Sequence, residues 1–237
     1  MTTYVRPPLP REVFLDDAGR PFTYGDRWGD DGPPEDAYSV VTHPERFAAL
    51  HPVADTLLVH LAATYAGDVA ELSPADLTTH TPAAPAHPAL AGWGDVERLL
   101  RVVVLRPHRA GAAPISIAWT DYPGVEVRAG ALVRRSFPSC GCDACDDSVE
   151  SMADDLEALV LGVAAGRARE WVRSAGPLSC WVGFSTDHDD GEWESGETRH
   201  DRRDPQVRAA RALLRSLPHG RWQPWTAVGD AAVGGHL

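Results

Sequence analysis

The chain has 237 residues, 43% of them hydrophobic and 24% charged, with a formal net charge of −12. That is long enough to bury a sizeable core and too apolar to remain disordered. All 22 basic residues are arginine, which excludes a Schiff-base lysine, a phosphate-loop lysine and a kinase-type strand lysine. The acidic balance argues against a general nucleic-acid binder.

No apolar run approaches the roughly 18 residues of a membrane-spanning helix, the longest candidate being residues 156–166. Residues Met1 to Pro10 hold no apolar signal core. The expectation is a cytoplasmic chain without membrane contact. In that compartment clustered cysteines read as free thiols or metal ligands before they read as disulfides.

Residues Thr3 to Asp36 read as an extended arm, with Arg6-Pro7-Pro8-Leu9-Pro10 favouring polyproline geometry and a short hairpin turning at Asp17 to Gly19. Tyr24 and Trp28 make the arm aromatic, and such an arm packs on its own domain more often than it binds a ligand. A helix is predicted from Pro52 to Tyr65, with Leu50, Ala54, Leu57, Leu58 and Leu61 on one stripe and His60 packed at its edge. Residues 67–94, with four prolines, read as a loop insertion with room for one short helix after Ser73.

From Leu99 the pattern turns to strands. Arg101 to Leu105, Ile115 to Trp119 and Val125 to Ala129 alternate or are β-branched, predicting a three-stranded antiparallel meander that leads through Val133 and Phe137 to a cysteine-rich loop. A long amphipathic helix follows, with Met152, Leu156, Leu159, Val160, Val163 and Trp171 on its stripe. Asp147 and Glu150 are spaced like a capping box, and Gly176-Pro177 reads as the stop. Leu178 to Phe184 reads as a fourth strand, and residues 187–197, with six acids, as a solvated loop. Asp204 and Pro205 open a last helix whose inward side is Val207, Ala210, Leu214 and Leu217. The expected fold is a single α+β domain over residues 1–225, with an antiparallel sheet of about four strands against about three helices and a disordered tail over 226–237.

The cysteine loop carries the chemistry. Cys140, Cys142 and Cys145 are spaced C-x-C-x-x-C around Gly141 and stand just before a helix. A glycine-containing loop turns tightly enough to aim several thiols at one centre, and zinc takes such thiolates in tetrahedral sites. The helix N-terminus favours anions and should lower the Cys145 thiol, whereas Asp143, Asp146 and Asp147 act against this. Cys180 is the arithmetical fourth ligand, although its strand face is apolar; Asp143, Asp146 or a histidine are the alternatives. Thiols simply packed in a turn, or redox-active thiols, are the competing readings.

Tyr122-Pro123-Gly124-Val125, Phe137-Pro138 and the run from Cys140 to Asp146, together with Arg6-Pro7-Pro8, Trp28-Gly29 and the segment from Pro34 to Ser39, resemble an actinobacterial family of uncharacterised domains. The resemblance runs to about Trp225 and implies no activity, cofactor or catalytic residue. Elsewhere, His188, Asp189, Asp190 and His200 could form an oxygen- and nitrogen-rich metal site but read as solvated surface. Arg208, Arg211 and Arg215 form a basic stripe whose expected partner is the acidic loop. Trp193, Trp222 and Trp225, if exposed together, would make a protein-binding face. Two functions remain open. One is a non-enzymatic interaction or regulatory module, with an unidentified protein partner and a structural zinc site. The other is a small enzyme using a zinc-bound water or a reactive thiolate.

Overall fold

The structure is a computed structural model and describes residues 3–72, 98–187 and 193–231. It mixes helices with three antiparallel sheets. The largest has five strands in the order β3-β4-β5-β6-β7: β3 (Gly67–Leu72), β4 (Leu99–Pro107), β5 (Ile115–Thr120), β6 (Val125–Ala129) and β7 (Val133–Phe137). The expected meander is its centre. Val103, Leu105, Ile117, Trp119, Val125 and Val127 alternate onto one face, and every one of them is buried.

That face is covered by α1 (Leu50–Thr64) and α2 (Val149–Ala164). In α1, Leu50, Val53, Ala54, Leu57 and Leu61 are fully buried, so this helix is the centre of the core. With its leading 3-10 turn it forms the stretch Pro44–Thr64, which by length and composition could cross a membrane, yet its apolar stripe is spent on the sheet. His60 lies at the stripe's edge with its ring 5.5 Å from that of Tyr4, and burial lowers its pKa.

Several predictions need correction, among them the single sheet of about four strands. Residues Gly67 to Leu72 are an edge strand and not the start of a loop; with Val69 as their one β-branched residue they carry too little strand signal to be seen. The remaining loop prediction, including a helix after Ser73, lies outside the described residues. The second helix stops at Ala164, and Trp171 belongs to β8 (Ala168–Ser174). Gly166, at φ 72°, ends the helix, and a Cβ there would come within 2.6 Å of the Pro224 nitrogen. The helix-forming residues of Ala168-Arg169-Glu170 hid the change, and Gly176-Pro177 therefore turns between strands. The start of α2 is capped by Ser148, whose Oγ accepts from the Ser151 amide at 3.1 Å, one residue beyond the expected capping box.

The predicted strand over Leu178 to Phe184 exists as β9 (Ser179–Asp187) but joins a separate sheet in the order β10-β9-β8. β10 (Trp193–Asp201) overlaps the stretch expected to be an acidic loop; its backbone pairs along a full ladder against β9 despite the acids it carries. The third sheet is the two-residue hairpin β1 (Phe14–Leu15) and β2 (Pro21–Phe22) at the expected turn. Helix α3 (Pro205–Ser216) starts as predicted, Asp204 accepting from the Gln206 amide at 2.7 Å.

Trp222 and Trp225, which would make a binding face only if exposed together, are buried. The Trp222 indole donates to Glu170 at 2.6 Å, and the Trp225 indole donates to the Ala113 carbonyl at 2.8 Å. An indole N–H is affordable in a core once it has an acceptor. A bridge between Ala227 and Tyr65 and the short α4 (Val228–Ala231) continue past Trp225, so the described part of the tail is ordered. The side chain of Trp193, and residues 188–192 of the acidic loop with His188, Asp189 and Asp190, lie outside the described residues.

Candidate functional site

Strand β7 delivers the chain through Phe137 and a cis Pro138 into the cysteine loop. Gly141 then adopts φ 89°, a conformation disfavoured for any residue with a Cβ, and such an atom would also strike the Tyr122 hydroxyl. The turn allows Cys142 to cap a 3-10 turn, Asp143–Cys145, and Asp146 closes it in the left-handed region at φ 53°. Local geometry thus brings the three sulfurs of Cys140, Cys142 and Cys145 within 4.8 Å of one another. Those of Cys142 and Cys145 are 3.3 Å apart, all three are free thiols, and only Cys142 is buried.

One proton shared between neighbouring sulfurs separates their acidities. Burial works to raise the Cys142 thiol but is outweighed by hydrogen bonds from the Cys140 and Cys145 side chains and from the Cys145 and Ser39 backbone, which bring it down to about 7. The same contact with Cys142, followed by burial, pushes Cys145 up to about 12. The expectation that Cys145 would be the acidified thiol is therefore reversed: its neighbour holds the charge.

Zinc bonds thiolate sulfur at about 2.3 Å, which places tetrahedral sulfurs about 3.8 Å apart. The three sulfurs, within 4.8 Å of one another, stand close to that spacing. Cys180 does not join them. It is buried on β9 opposite His200, its sulfur 3.8 Å from the His200 carbonyl, as a small apolar residue would be.

The aspartates of the loop have another role. Asp143, which is 3% exposed, accepts from the Tyr24 hydroxyl at 3.0 Å, the Thr42 hydroxyl at 2.8 Å and the Thr42 amide at 3.3 Å. The guanidinium groups of Arg27 and Arg46 stand 3.8 and 3.9 Å away. Asp146 accepts from the amides of Gly25 and Arg27 at 3.0 and 2.7 Å. Arg46, itself buried, donates to the Gly141 carbonyl at 2.9 Å and stacks on Tyr24. Trp28 donates to the Asp143 carbonyl, and its ring packs on Cys142, Ala144 and Ala37. The two carboxylates considered as a fourth ligand thus hold residues 24–46 against the loop. Among the described residues no histidine or further acid joins the sulfur group.

Sequence reasoning missed this clasp, and it missed a cleft of about 310 Å³ lined by Arg98, Tyr122, Glu126, Ser136, Phe137 and Cys140. Acids interleaved with cysteines were the available signal for the first. The second depends on strand register and left none.

No curated protein and no solved structure matches the chain. The profile of a family of unknown function, DUF6226, matches residues 10–228, from the aromatic arm through the cysteine loop to the ordered tail, and the chain belongs to that family.

Proposed function

We propose that the chain is a cytosolic, non-enzymatic interaction or regulatory module in which Cys140, Cys142 and Cys145 hold one zinc ion that stabilises the loop clasping residues 24–46. The observation that carries this reading is the convergence of three free sulfurs within 4.8 Å. Three thiolates at that spacing repel unless a cation sits among them, and zinc suits an all-sulfur donor set. The clasp supports a structural role, because the loop binds the arm through both its carboxylates and its backbone.

The test is elemental analysis of untagged protein, with thiol titration before and after chelation. The expected result is one zinc per chain, retained in Cys180→Ser and lost in Cys142→Ser. Chelation should make residues 24–46 cleavable by protease while the core helices stay protected. Metal-free protein with three freely reactive thiols would overturn the reading. The cleft beside Cys140 favours a second reading, a small enzyme acting at the same metal or at a thiolate. It would require turnover that disappears with the metal or, for a thiolate nucleophile, on alkylation of the cysteines.

A further inference from the structure

Three sulfurs supply three of the four donors that a tetrahedral zinc ion takes. Among the described residues no other cysteine, histidine or acid completes the group. Cys140, one of its two exposed members, is also the cysteine that lines the cleft. The β5–β6 turn and the end of β7 form the walls. Gly124 is what lets them close up, since a Cβ there would lie 2.7 Å from the Phe137 carbonyl. Tyr122 joins cleft to loop, its hydroxyl 3.5 Å from the Gly141 carbonyl.

The cleft has a direction. At its metal end are Cys140 and the Tyr122 phenol. Along it lie Arg98, whose guanidinium also pairs with Asp121 at 2.9 Å, and Ser136 as residues with donors, Glu126 as the one carboxylate of the lining, and Leu99, Val125 and Phe137 as apolar wall. Its volume of about 310 Å³ lies at the lower end of the range of small-molecule sites and suits a molecule of up to about a dozen heavy atoms.

We infer that this cleft binds a small organic molecule carrying one anionic oxygen or sulfur donor, which completes the coordination of the metal held by Cys140, Cys142 and Cys145. The inference rests on the metal reading and goes beyond it by placing the fourth ligand outside the protein. A carboxylate or a thiolate meets the same requirements, namely a lone pair for the metal, negative charge near Arg98 and Tyr122, and an apolar body against Phe137 and Val125.

Cobalt(II) replaces zinc at such sites and reports its donors through its visible bands. Cobalt-loaded protein is titrated separately with butyrate and with propane-1-thiol. The expected result is a saturable shift of the tetrahedral bands with at least one probe, sulfur binding being distinguished by added thiolate charge-transfer intensity. Ser136→Trp fills the cleft without touching a ligand, and Arg98→Ala removes its cation from an exposed position. Each should bind cobalt as tightly as the parent and weaken the probe by at least about tenfold. Bands unmoved by both probes, or an equal response in both variants, would overturn the inference and leave the metal site standing. A chain that binds no cobalt removes both.

Discussion

Two side chains show how much of this molecule rests on single contacts. Glu170 is buried on β8 and accepts the amides of Ala131, Leu132 and Val133 and the indole of Trp222. Burial raises its pKa against the pull of those four donors. Gly130, at φ 56°, makes room for the carboxylate where a Cβ would collide with it. Replacing Glu170 by Gln keeps one oxygen but turns an amide N–H into a ring of donors, so the variant should lose about 2–3 kcal/mol in urea unfolding. Tyr4 acts through pH. Burial and a 2.6 Å hydrogen bond to Glu157 raise its phenol well above the ordinary value. A phenol raised by folding contributes stability that is complete below about pH 10 and is lost as pH climbs past it. The thermal midpoint of the parent should therefore fall more steeply above that pH than that of Tyr4→Phe.

At the scale of elements, the legible parts were those whose pattern is local. The stripe of α1, the alternation of β4 to β6 and the cap of α3 are each written within a dozen residues. β8 was hidden because Ala168, Arg169 and Glu170 prefer helix, and only Gly166 marked the break. That residue decides the topology, since the strand after it reaches the second sheet while the helix before it covers the first. Gly166→Ala should cost about 2–4 kcal/mol, from left-handed strain and from contact with Pro224. The denaturant midpoint should fall with an unchanged slope, because fold and exposed area stay the same. β10 was hidden for the opposite reason: six acids read as a loop, and pairing with β9 supplies the backbone partners that composition cannot reveal.

Over the whole molecule, the candidate site divides in the same way. The convergence of Cys140, Cys142 and Cys145 was readable because six residues around a glycine cannot separate three sulfurs far. The exclusion of Cys180, the clasp by Asp143 and Asp146 and the cleft were not, since each depends on residues about 20 to 120 positions apart meeting in space. Asp143→Ala tests the clasp. Removing a carboxylate that faces Arg27 and Arg46 in a buried setting should cost about 3 kcal/mol and raise protease cleavage within residues 24–46, while β4 to β7 keep their amide protection.

The grip of the loop on residues 24–46 has a practical consequence. Cys142 lies beneath Trp28 and Ala37 and accepts a hydrogen bond from the Ser39 amide, so an alkylating reagent can reach it only after those residues lift away. The rate at which that sulfur is modified, compared with its exposed neighbour at 140, becomes a gauge of how often the amino-terminal segment detaches.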